Sequence, residues 1–89
     1  MSDDILYQRF LSYGPAVRIR RTSEAGTAPV TAVLEVDRRA GTPREKEGGN
    51  PPPLMHCEGA SEAAVLELLE PTARDDRLIV QLMREKQLR

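Results

Sequence analysis

Apolar and polar residues alternate along two runs of this chain, Val17-Arg18-Ile19-Arg20 and Val30-Thr31-Ala32-Val33-Leu34-Glu35-Val36-Asp37. A period of two marks a strand with one buried face. The residues between the runs, Thr22-Ser23-Glu24-Ala25-Gly26-Thr27-Ala28, are turn formers, so the pair predicts an antiparallel β-hairpin. Setting Val17 against Val36 and Ile19 against Leu34 puts these residues, with Ala32, on the buried face. Arg18 then falls opposite Glu35 on the outer face, and Arg20 lies diagonal to it.

Ahead of the hairpin, Ser2 has the form of a helix N-cap, with Asp3 and Asp4 in the first turn, where the helix dipole favours negative charge. Leu6, Phe10 and Tyr13 follow at helical spacing, and Gly14-Pro15 would stop the helix. An N-terminal helix is expected here. Beyond the hairpin, residues 40–53 are rich in Gly and Pro and hold no large apolar side chain. They predict a flexible loop ending in polyproline II.

Pro53-Leu54-Met55-His56-Cys57-Glu58 reads as a short third strand. Ser61 then caps a helix in which Val65, Leu66 and Leu69 share a face, and Pro71 is expected to end it. Thr72 with Asp75 makes a capping-box-like start for a last helix. Its apolar stripe is Leu78, Ile79, Leu82 and Met83, while Arg74, Arg77, Gln81 and Arg84 gather on another face. The expected fold is thus α+β, with an N-terminal helix, a β-hairpin plus a short third strand, and two C-terminal helices. A competing reading turns residues 66–70 and 77–83 into strands, giving a helix followed by a five-stranded small barrel.

At 89 residues the chain is long enough for one domain, not two. Aromatic residues are 3% of it, so the core must be aliphatic and its stability margin thin, roughly 3–5 kcal/mol. A partner chain is the expected supplement. The single cysteine excludes an internal disulfide and points to a reducing, cytoplasmic compartment. No run reaches the roughly 18 apolar residues of a membrane span, and the N-terminus is acidic before it is apolar, unlike a secretory signal.

A net charge of −1 conceals a segmental pattern. Residues 51–70 hold four Glu and no Lys or Arg, whereas residues 71–89 hold five bases against three acids. Eleven of the thirteen bases are Arg, which suits bidentate or stacked contacts.

His56-Cys57 is the one conspicuous chemical pair, and each chemistry it suggests fails. The tyrosine-phosphatase loop needs an Arg six positions after the cysteine to hold phosphate and depress the thiol pKa. Ala63 stands there, flanked by Glu62. Adjacent strand residues point to opposite faces, so the two cannot act as nucleophile and base. A zinc deaminase would need a Pro-Cys-x-x-Cys run that is missing, and one His with one Cys does not make a structural zinc site.

The order helix–strand–strand–strand–helix is similar to that of double-stranded RNA-binding domains. Those domains carry lysines at the start of the last-named helix, where this chain has Ser61-Glu62-Ala63-Ala64, so no functional residue is carried over. The sequence therefore points to a non-enzymatic, cofactor-free binding module: an adaptor, regulator or accessory subunit acting through protein–protein contacts, with a protein partner or, as its thin core suggests, as a homodimer. Arg74, Arg77, Gln81 and Arg84 are its candidate surface. The alternative is nucleic-acid binding through the last helix or through Arg18, Arg20, Arg21, Arg38 and Arg39.

Overall fold

A computed structural model of the protein describes residues 4–12, 14–38 and 52–87. Four strands, β1 (Ile5–Phe10), β2 (Ala16–Arg21), β3 (Val30–Asp37) and β4 (Pro53–Gly59), are followed by two helices, α1 (Glu62–Ala73) and α2 (Asp76–Gln87). The strands form one antiparallel sheet in the order β1-β2-β3-β4.

The β2–β3 register is the one the alternation predicts, with Val17 opposite Val36, Arg18 opposite Glu35 and Ile19 opposite Leu34. One-residue slippage would have turned Val17 and Ile19 away from the core, which is why alternation fixes register so firmly. Val17, Ile19, Ala32, Leu34 and Val36 all lie in the buried cluster, packed with Val65, Leu69 and Ala73 of α1 and Ile79 of α2. Each fully buried Val, Leu or Ile contributes about 1.5–3 kcal/mol through removal of apolar surface from water.

The expected N-terminal helix is absent from the described residues: Ile5–Phe10 is a strand paired with β2. The physical reason is a β-bulge. The register shifts between Ile5 and Tyr7, so Leu6 is an extra residue, and both Leu6 and Tyr7 pack on the core. That shift destroys the simple alternation by which a strand is recognised. Gly14-Pro15, expected to stop a helix, instead belongs to the β1–β2 connection, where Gly14 takes a positive φ of 116° and Leu11 N–H donates to Pro15 O. Ser2, Asp3 and Tyr13 of the expected helix lie outside the described residues. The helix-plus-five-stranded-barrel alternative fails as well, because residues 62–73 and 76–87 are helical.

The strand expected at Pro53–Glu58 is β4, the fourth in the sheet, and extends to Gly59. Of the loop expected over residues 40–53, positions 40–51 lie outside the described residues and Pro53 opens β4. Ser61 caps α1 as expected: its Oγ accepts from Ala64 N–H at 3.2 Å.

Pro71 does not end the helix. It sits inside the last turn, and α1 runs to Ala73. Pro71 has no N–H for the Glu67 carbonyl, and Glu67 is exposed, so water can serve that carbonyl at little cost. Nor does Thr72 cap α2. Asp75 does so itself, its Oδ1 accepting from Arg77 N–H at 3.0 Å and Leu78 N–H at 3.3 Å. With a helix on one side and a cap on the other, residues 73–76 form a tight corner. Arg9 braces that corner from β1. Its Nε donates to Ala73 O at 2.8 Å, and its Nη2 donates to Asp76 Oδ1 at 2.5 Å.

The helices cover one face of the sheet. No helix among the described residues is long and apolar enough to cross a membrane.

Candidate functional site

Three groups of cations stand out, and the fold treats them differently. The first is on the sheet face opposite the helices, where alternation places Arg18 and Arg20. Arg18 donates from Nη1 to Asp37 Oδ2 at 3.0 Å and from Nε to Gln8 Oε1 at 2.9 Å. Arg20 donates from Nε to Glu35 Oε1 at 3.0 Å. The Glu35 side chain is 0% exposed, while Arg18 and Arg20 are 11% and 20% exposed. The second Glu35 oxygen, 3.8 Å from Arg18 Nη1, accepts no hydrogen bond among the described residues. Two arginines therefore face two buried carboxylates, and the strip is electrically balanced.

Arg21 forms the second group. It lies opposite Ala32, on the helix-covered side, at the start of α1. Its guanidinium pairs with Glu62 in the first turn of α1 and with Asp4 at 3.0 Å, and its Nε donates to Ser23 O. The hydrogen bond it donates to the Glu62 carboxylate holds its pKa above the ordinary arginine value. Arg21 joins the N-terminal segment, β2 and α1 and is spent on that task. Of the remaining strand-borne candidates, Arg38 is exposed at the end of β3, and Arg39 lies outside the described residues.

The third group is on the helices. Arg74, expected to share a stripe with the others, belongs to the end of α1 rather than to α2. It pairs with Glu70 at 2.5 Å and lies over the Tyr7 ring at 5.9 Å. Arg77, Gln81 and Arg84 do share the exposed side of α2. Together with Asp76 and Val80 they line a shallow surface groove of about 560 Å³. Among the described residues neither Arg77 nor Arg84 makes an ion pair.

A second, smaller groove, of about 300 Å³, runs along α1 and is lined by Glu67, Glu70, Pro71 and Arg74. Leu68 beside it is 60% exposed. Sequence reasoning did not single out Glu67, and gave Pro71 only the part of ending the helix. The run Leu66-Glu67-Leu68-Leu69-Glu70-Pro71 carried a signal all the same: it has more leucines than one helix face can bury, and a proline that removes a donor from the exposed side.

His56 and Cys57 face opposite sides of β4, as strand parity requires. His56 is exposed opposite Val33, and Cys57 is half-buried opposite Ala32 against the core. No group of three or more His, Cys, Asp or Glu side chains able to hold a metal occurs among the described residues. In comparisons with protein-family models, curated proteins and solved structures, the chain matches none.

Proposed function

We propose that this chain is a non-catalytic binding module that works through protein–protein contacts, with the outward side of α2 as its contact surface. The observation that carries the reading is the contrast between its arginines. Arg18, Arg20 and Arg21 are held by carboxylates of the same chain. Among the described residues Arg77 and Arg84 have no such partner, and they lie beside an exposed groove. A cation already paired and desolvated has little left to give a ligand, whereas a solvated one gains a charge-assisted bond on docking. Val80, half-buried on the same groove, adds apolar surface to the polar rim, the mixture that protein interfaces use.

The test is affinity capture with the wild-type chain and with an Arg77→Glu/Arg84→Glu double variant, each checked for an unchanged circular dichroism spectrum. Capture of a protein by the wild type and its loss in the variant is the expected result. Equal capture by both would refute α2 as the contact surface. Recovery of nuclease-sensitive material alone would move the function to nucleic-acid binding.

A further inference from the structure

The chain itself carries a surface that complements α2. We propose that the partner which docks on α2 is a second copy of this chain, with α2 of each protomer seated on α1 of the other across a two-fold axis. The proposal rests on the reading of α2 as a contact surface and adds the identity of the occupant.

Charge complementarity comes first. Among the described residues Arg77 and Arg84 are exposed on α2 without an ion pair, and Glu67 is exposed on α1 without one. They do not pair with each other within the chain, although both helices belong to one layer over the sheet. Hydrogen-bonding character is complementary as well. The α2 groove presents the Arg77 and Arg84 guanidinium donors and the Gln81 amide. The α1 groove presents the Glu67 carboxylate and, because Pro71 lacks an N–H, the backbone carbonyl of Glu67 too. Asp76 in the α2 groove is held by Arg9, the Gln81 amide by Glu85, and Arg74 in the α1 groove by Glu70. The groups left over are the donors of Arg77 and Arg84 on one helix and the acceptors of Glu67 on the other.

Apolar groups flank both surfaces: Leu68 is 60% exposed and Pro71 is exposed on α1, while Val80 lies on α2. Such side chains give an interface its desolvated centre. A reciprocal arrangement uses each surface twice and closes on itself, which is the commonest form of homodimer. A domain of this size with an aliphatic core gains the stabilisation that small domains draw from association.

Reciprocity makes the proposal testable by a charge exchange. The Arg77→Glu/Arg84→Glu variant has two acidic surfaces, and a Glu67→Lys variant has two basic ones. Neither should self-associate, yet an equimolar mixture restores opposite charge at both contacts of a heterodimer. Sedimentation velocity would be run on the full chain at about 50 mM and about 500 mM salt.

The expected pattern is a wild-type dimer whose Kd rises roughly tenfold or more at the higher salt, because solvated pairs are screened. Each variant should be monomeric alone, and their mixture dimeric. A wild type that stays monomeric at low salt overturns the proposal. So does a dimer that survives both variants, or a mixture that fails to recover one. A monomeric wild type that still captures another protein through Arg77 and Arg84 would refute self-association while leaving the contact surface standing.

Discussion

Replacing Glu35 with Gln should destabilise the fold by about 2 kcal/mol, a figure set by how the carboxylate is surrounded. Breaking a fully buried ion pair by removing one partner costs about 3–5 kcal/mol, because the other charge is left desolvated. Here the stranded cation would be Arg20, whose side chain is 20% exposed against 0% for Glu35. Water can therefore reach part of the guanidinium, and the Gln amide oxygen can still accept from Arg20 Nε. The loss is that of the acceptor's charge, within the roughly 1.5–3 kcal/mol that a hydrogen bond to a charged group contributes. Arg18 is less affected, since Asp37 at 3.0 Å and Gln8 at 2.9 Å still hold it.

For a chain this small, about 2 kcal/mol lowers Tm by roughly 8–16 °C. Urea unfolding followed by circular dichroism would read the change as a lower midpoint with an unaltered slope. A companion variant, Arg20→Met/Glu35→Leu, removes both charges and should lie within about 1 kcal/mol of wild type, as apolar replacements of buried pairs often do. Completing the cycle with the single variants Arg20→Met and Glu35→Leu should give a coupling of about 1–2 kcal/mol. If Glu35→Gln unfolds within about 0.5 kcal/mol of wild type, or the cycle shows no coupling, the balanced strip is not a stabilising unit and the reasoning fails.

Three further outcomes follow from local geometry. Ser61→Ala should cost about 1 kcal/mol, because Ala64 N–H loses its cap, while Ser61→Asp should retain most of it; urea midpoints decide both. Gly59→Ala should cost about 1–3 kcal/mol, since the new Cβ would meet Ala64 Cβ at 3.0 Å and Val65 Cγ1 at 3.2 Å, forcing α1 off the sheet. An alanine as stable as the glycine would show that α1 yields freely. Arg9→Met should speed amide exchange in α2 more than in β2 and β3, because the brace on Ala73 O and Asp76 is lost. Uniform exchange would mean that the corner holds without it.

How much of this fold could be read from residues alone depended on whether local pattern and tertiary packing agreed. In the hairpin they agreed, and the pairing of Val17 with Val36 followed from alternation. In Ile5–Phe10 they conflicted. A bulge puts Leu6 and Tyr7 together on the core, and Phe10 is left 55% exposed. The polar residue that breaks the apolar pattern, Arg9, points at the helices on purpose: it sits opposite Val17 and reaches the α1–α2 corner. A strand whose inward positions include a bulge and an arginine has no period of two, so helical spacing filled the gap. Pro71 misled for a related reason. Its cost is an unserved carbonyl, and exposure of Glu67 makes that cost small.

The arginines show where sequence stops being sufficient for the site. Counting them gives a basic chain segment near each end, and nothing in the count separates Arg20 from Arg77. The distinction is topological. β2 and β3 bring Arg18 and Arg20 against Glu35 and Asp37, and the closing of α1 onto the sheet brings Glu62 to Arg21. Alternation could foresee the first of these pairings, since it depends only on register between neighbouring strands. The second joins residues 41 positions apart and needed the helix to be placed. Among the described residues Arg77 and Arg84 on α2 and Glu67 on α1 are left without an ion pair, as are Glu24, Arg38, Glu58, Glu85 and Lys86. Arg77, Arg84 and Glu67 stand apart because they flank grooves on neighbouring helices, where the proposed second chain would bring the opposite charges together. The oligomeric state at low and high salt is therefore the measurement that decides that proposal first.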